Sequence, residues 1–312
     1  MQHPFARSLD NSDLIQHFLG VVLKHNDSDN NDIITKIKSG EAELKNYGDT
    51  SSTLNSTSHR HRKFLNSSDR WRLREQIVNE LLSQPRLDND DNIKLGKGGA
   101  LPTSSVQTNK QAYIIIGLPA SGKSSIANII ADHYGAVVLD SDFAKRKFPE
   151  FEYNSAGASL VHDESNAVIF GFLDKDKPDD LKSVFEKCHS NGSNIVIPKI
   201  GYSVSSISML ANELYETFGY TVHLTLVSLD RRKATIRAVN RFLKSGRYVP
   251  LSLIFDGYGN DPILTYYRLK NNTFGEIGFI KSYGKLSTDV EKGQSPKVIY
   301  TDELNPACLF KE

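Results

Sequence analysis

Gly117-Leu118-Pro119-Ala120-Ser121-Gly122-Lys123-Ser124 carries the spacing G-x-x-x-x-G-K-S. Its glycines let the backbone turn so that successive N–H groups face one point. A helix start just after it adds positive potential there, the lysine brings an ammonium group and the serine a hydroxyl. That set fits the phosphates of a nucleoside triphosphate. Gly117, Ala120, Ser121, Gly122, Lys123, Ser124 and Ser125 are therefore the candidate nucleotide-binding residues, with Lys123 reaching the β/γ-phosphates and Ser124 holding Mg²⁺. A glycine-rich turn of purely structural use is the bland alternative. The apolar run 113–116 before the motif and the helix-like run 125–133 after it favour the nucleotide.

Two carboxylates stand in Asp140-Ser141-Asp142, at the end of a second apolar run. With this i, i+2 spacing at a strand terminus, one carboxylate can support Mg²⁺ while the other takes a proton from an attacking hydroxyl. Asp140 is assigned to the metal and Asp142 to the base; the competing account is that Asp140 only caps the next segment. Phosphoryl transfer also requires cations that neutralise charge spreading over the moving group. Arg241 and Arg247, on either side of a helix end marked by Gly246, are the candidates on a mobile lid, whereas Arg231, Arg232 and Lys233 read as a solvated basic face. His162 and Glu164, near a helix start, can hydrogen-bond an acceptor or simply suit the helix dipole. Lys145, Arg146 and Lys147 can attract an anionic acceptor or form a basic surface run.

These residues need a scaffold that brings strand ends together. From residue 111 onward strand-like and helix-like runs alternate: strands at 112–116, 136–140, 194–198 and 221–228, and helices near 123–134, 156–172, 179–190, 204–218 and 230–244. Helical crossovers between strands imply a parallel α/β sheet with helices on both faces, with ligands beyond the carboxyl ends of the strands. A less regular tail is expected to hold a helix near 261–270 and strands at 276–283 and 297–301. Residues 1–110 read as an extension with helices near 13–24 and 69–84. The Asn/Asp/Ser-rich stretch 26–62 buries too little apolar surface to offset ordering entropy, so the extension is expected to be partly mobile.

Composition narrows the field further. A net charge of +1 over 312 residues weakens a nucleic-acid-binding role. Two cysteines, Cys188 and Cys308, make no disulfide framework and suit a reducing, cytoplasmic setting. No stretch reaches the ~18 consecutive apolar residues of a membrane helix, so no membrane role is expected.

The phosphate loop, Asp140-Ser141-Asp142-Phe143, Pro149-Glu150-Phe151, the His162/Glu164 helix and the Arg241/Arg247 segment occur in one order that resembles the zeta-toxin family of P-loop kinases, over about residues 110–250. The resemblance implies ATP and Mg²⁺ as cofactors, Asp142 as general base and Arg241 and Arg247 as ATP-binding arginines. It also implies His162 and Glu164 on the acceptor side, a small nucleotide-type acceptor, typically UDP-N-acetylglucosamine, and an antitoxin or chaperone partner. The chain departs from the family after its third strand. There an acidic residue followed by Gly-Thr is usual, and this chain has Pro198-Lys199-Ile200-Gly201. Lys199 suits an anionic acceptor, and the chain also looks like an effector branch, delivered into host cells, that phosphorylates the adenosine ribose of NAD. A polynucleotide 5′-hydroxyl kinase and a nucleotide-stabilised interaction protein without turnover remain open alternatives.

Overall fold

Ile114, Ile115 and Ile116 follow one another with no exposed surface. Consecutive strand residues point to opposite faces, so both faces of the sheet are covered at this strand. In the computed structural model, which describes residues 6–46, 52–153, 157–171, 181–271, 278–291 and 293–311, it is the third of six strands. These are β1 (Gln111–Ile116), β2 (Val137–Val138), β3 (Ile195–Lys199), β4 (Thr221–Ser228), β5 (Ile280–Ser287) and β6 (Lys297–Thr301). Their order is β2-β3-β1-β4-β5-β6. The first five run parallel, and β6 closes the edge antiparallel to β5. The sheet is therefore mixed, dominated by its parallel part, because β5 reaches β6 through a short connection that needs no crossover.

The extension contributes α1 (Ser12–His17, prolonged by a wider π-type turn through Val22), α2 (Asn31–Asn46) and α3 (Ser67–Ser83). The 16-residue α2 lies within the stretch where the composition suggests irregular chain. Asn30 Oδ1 accepts from the Asp32 N–H at its start, and Ile33, Ile34 and Ile37 give it one apolar face. Residues 47–51, within the same stretch, lie outside the described residues.

After β1 come α4 (Lys123–Tyr134), α5 (Ser141–Lys145), α6 (Glu150–Tyr153), α7 (Gly157–Leu160), α8 (His162–Phe170) and α9 (Val184–Ser190). Then follow α10 (Val204–Asn212), α11 (Arg231–Ser245) and α12 (Asp261–Lys270). The single helix expected near 156–172 is thus two pieces broken at Val161; its end residues 156 and 172 lie outside the described residues, as do 179–180 of the next helix and 276–277 of the expected tail strand. α11 starts where the Asp230 carboxylate accepts from the Arg232 and Lys233 N–H groups, and it ends at Gly246 in the left-handed conformation.

Among the described residues two apolar cores result. The larger one surrounds the sheet and includes Leu73, Ile77, Val78 and Leu81 of α3. The other joins Ile15, Phe18, Leu19, Leu23, Ile33, Ile34 and Ile37 of the extension to Ala234, Ala238, Val239 and Phe242 of α11. Each large aliphatic side chain buried there contributes about 1.5–3 kcal/mol, so the helix carrying Arg241 rests on the extension.

Candidate phosphotransfer site

The phosphate loop leaves the sheet at its centre. Ile116 lies opposite Lys199 of β3 on one side and Leu226 of β4 on the other. At Gly117 a Cβ would sit 2.5 Å from the Val227 carbonyl oxygen and 2.9 Å from Ser121 Oγ, so only glycine fits. Gly122 has φ 91°, and Ala120 holds φ 59°, a left-handed conformation that costs a non-glycine residue roughly 1–2 kcal/mol. Strain of this kind persists where surrounding bonds over-determine it. Here the Gly117 N–H donates to the Ile200 carbonyl (3.1 Å), and Thr288 Oγ1, beyond β5, donates to the Ser121 carbonyl (2.6 Å). Ser121 Oγ is buried with no hydrogen-bond partner among the described residues. Lys123 opens α4, and its Nζ donates back to the carbonyls of Gly117 (2.7 Å) and Leu118 (2.6 Å). Burial pushes its ammonium down to about 8, with Asp140 and Asp142 opposing the shift.

A cavity of about 200 Å³ adjoins this loop, and Ser124, Ser125, Asp140, Asp142, Arg241 and Arg247 all line it. Residues from three separate stretches of sequence therefore share one space. Asp140 follows β2 and accepts from the Asp142 N–H (2.9 Å), so it does cap α5. Burial, together with the negative charge of Asp142, pushes its carboxyl up to about 6. Asp142 goes the other way. Burial raises it, but Arg247 (Nη2 to Oδ2, 2.6 Å) and Lys145 (Nζ to Oδ1, 3.1 Å) outweigh that and hold it well below the usual carboxylate range. Burial and the neighbouring Arg247 push Arg241 down.

Lys199 Nζ lies 3.7 Å from the centre of the Phe170 ring, and burial pushes it down to about 8 against the pull of Asp140. The parallel register explains its place: β3 lies between β1 and β2, so its last residue falls between the phosphate loop and the Asp140 turn. His162 starts α8, where burial, then the charge of Lys145, holds its ring below the usual imidazole range. Its Nε2 is 3.2 Å from Asn166 Nδ2.

Glu164 does not join them, contrary to the expected acceptor contact. It is fully buried and receives hydrogen bonds from Arg70 Nε (2.7 Å) and Nη2 (2.5 Å), Arg74 Nε (2.6 Å) and Thr53 Oγ1 (2.5 Å). Arg70 also reaches Glu150 (2.7 Å). The reason is helical geometry: two residues on from His162, a side chain points roughly 200° around the helix, here toward α3.

The cavity has a wall that the sequence reading does not anticipate. Residues 88–91, Asn128, Phe143 and Arg146 complete its lining. The basic run also divides: Lys145 binds Asp142, Arg146 lines the cavity, and Lys147 is buried on Glu80 (2.7 Å). The apolar residues that bracket the run, Phe143 and Ala144 before it and Phe148 after it, are a sequence signal that it is not a surface one.

No curated protein sequence matches the chain. Among solved structures, a chain of the PezAT chromosomal toxin–antitoxin system of Streptococcus pneumoniae is 15% identical, with a TM-score of 0.47 over 67% of this chain and 78% of that one. A chain of the AvrRxo1-ORF1:-ORF2 complex is also 15% identical, with a TM-score of 0.44 over 81% of this chain and 71% of that one. The profile of the Zeta toxin family matches residues 99–260, more than half of the chain, and spans the phosphate loop, both aspartates and both arginines. The protein belongs to the Zeta toxin family and is a phosphotransferase.

Proposed function

We propose that the protein transfers the γ-phosphate of ATP to a hydroxyl of a small nucleotide-type acceptor, with a ribose hydroxyl of NAD preferred to the sugar of UDP-N-acetylglucosamine. The observation that carries the reading is the convergence of Ser124, Asp140, Asp142, Arg241 and Arg247 on one cavity beside the Lys123 loop. The loop suits triphosphate binding because its turn tolerates no side chain at Gly117 and ends on the N–H groups that open α4. Mg²⁺ fits the Ser124 hydroxyl and the Asp140 carboxylate, whose raised proton affinity is what a neighbouring cation would relieve. When bound, the ion would offset phosphate charge.

In this reading Lys123 leaves the loop carbonyls for the β/γ-phosphates, and Asp142 receives the proton of the attacking hydroxyl. That requires Arg247 to exchange its carboxylate partner for the transferring phosphoryl group, where Arg241 joins it. The hydroxyl oxygen forms the new P–O bond as the bond to ADP breaks. Lys199 favours an acceptor carrying its own negative charge, such as the pyrophosphate of a dinucleotide. A protein partner, an antitoxin or chaperone, belongs to the same reading through family membership, as does action as a toxin or effector delivered into a host cell. The full chain, incubated with ATP, Mg²⁺ and equal concentrations of NAD and UDP-N-acetylglucosamine, should yield mainly phosphorylated NAD by mass spectrometry. A dominant phosphorylated UDP-sugar would remove Lys199 as the source of specificity, and no phosphorylated product from any nucleotide would remove the reading altogether.

A further inference from the structure

We infer that Arg146 is a third phosphate-binding arginine of the site and that Asp91, from the extension, is an internal anion that occupies it. The inference deepens the kinase reading and rests on it. Arg146 lines the cavity with Arg241, Arg247 and Ser124, yet its side chain is only 7% exposed. An arginine so buried normally satisfies its N–H groups on fixed protein acceptors. Arg146 does so on one side only. Its Nη2 meets Asp91 Oδ1 at 2.7 Å, and its Nε has no partner.

The partner is the less fixed of the two. The Asp91 side chain is 40% exposed and belongs to a short turn, Asp90–Asn92, outside the sheet. Asp142, by contrast, is gripped by both Arg247 and Lys145. Both arginines share the Phe151 ring, with the Arg146 guanidinium 5.8 Å and the Arg247 guanidinium 5.7 Å from its centre. Two like charges on one ring, in a cavity that already holds Arg241, favour a multiply charged anion, and a planar guanidinium suits phosphate oxygens. A carboxylate from an exposed turn is the weaker anion, and a phosphate group can displace it.

That phosphate can be the γ-phosphate of ATP or a phosphate of the acceptor, and calorimetry with ATP, ADP and NAD separates the two. Arg146→Ala should weaken binding about tenfold. A loss for ATP but not ADP assigns Arg146 to the γ-phosphate, and a loss confined to NAD assigns it to the acceptor. Asp91→Asn, a change at an exposed position, should tighten the same ligand about threefold or more. In the Arg146→Ala background it should have no effect, because the competition it relieves is gone. Tightening that persists in that background would mean general charge repulsion and overturn the inference, as would unchanged affinity for all three ligands in a folded Arg146→Ala protein. Failure of the unaltered protein to bind ATP would instead strike the kinase reading itself.

Discussion

At the scale of single residues, the two aspartates of one turn are driven apart by their neighbours. Asp142, held by Arg247 and Lys145, stays ionised far into acid, while Asp140 is pushed up to about 6. Asp142→Asn should lower turnover by roughly 10²-fold or more with ATP still bound; if Asp140→Asn is the damaging change and Asp142→Asn is not, the roles are reversed. The pH dependence follows from Asp140. Its ionised form is the one that can hold a cation, so Mg²⁺ binding should strengthen as pH rises through about 6. Stability runs the other way: the folded state binds the Asp140 proton more tightly than the unfolded state, so this contribution is lost as pH rises from 3.8 through about 6. Melting temperatures of wild type and Asp140→Asn across that window should show the difference, and an identical pH profile in the variant would refute the assignment. Lys123→Ala should abolish both ATP binding, read by calorimetry, and turnover, since it removes the ammonium that the loop itself holds ready for the β/γ-phosphates. Undiminished turnover would sink the loop assignment.

At the scale of elements, the parts of the site that follow one another closely in the chain were legible. Strand, turn and helix around Gly117 to Ser124 are specified by residues within a few positions of each other, and so is the Asp140 turn. Glu164 was not legible, because its partners Arg70 and Arg74 lie on a helix some ninety residues earlier, and sequence spacing does not give the rotation of α8 against α3. A weak signal existed: Arg74 falls within the apolar stripe of α3 with Leu73, Ile77 and Leu81, and a charge in such a stripe asks for a buried partner. The same holds for α2, whose three isoleucines are diluted by Asn, Asp, Lys and Glu. The buried cluster makes a sharp prediction. Glu164→Gln leaves two buried arginines short of charge and should cost about 3–5 kcal/mol in denaturant unfolding. In the wild type, Arg70 and Arg74 outweigh burial and hold Glu164 below its ordinary 4.5. This stabilisation is therefore complete above that value and fades as pH falls below it, and a Glu164→Gln protein should lack this acid-sensitive part of its stability. Equal stability of the two proteins at neutral pH would contradict the network's role.

At the scale of the whole molecule, the family match begins at residue 99, yet the second apolar core is built half from residues before it. α1 and α2 supply its aliphatic side chains, and the Tyr248 hydroxyl, next to Arg247, donates to Glu41 of α2. Gly40 sits against that same ring, where a Cβ would come within 2.7 Å of Tyr248 Cγ. The extension therefore sets where the arginine segment lies, and the lid expected from sequence rests on a packed support. Deleting residues 1–46 would uncover Ala234, Ala238, Val239 and Phe242 on α11, so the shortened protein should melt at lower temperature and lose turnover. A deletion can fail for the trivial reason that the exposed face aggregates. Gly40→Ala avoids that, because it adds one methyl group and removes no buried surface. It should displace the Tyr248 ring and with it Arg247, lowering kcat more than it weakens ATP binding, since that arginine is assigned to the transferring phosphoryl group. A Gly40→Ala protein with unchanged kcat, or a deletion protein as stable and active as the full chain, would show that the extension packs against the kinase core without positioning its arginines.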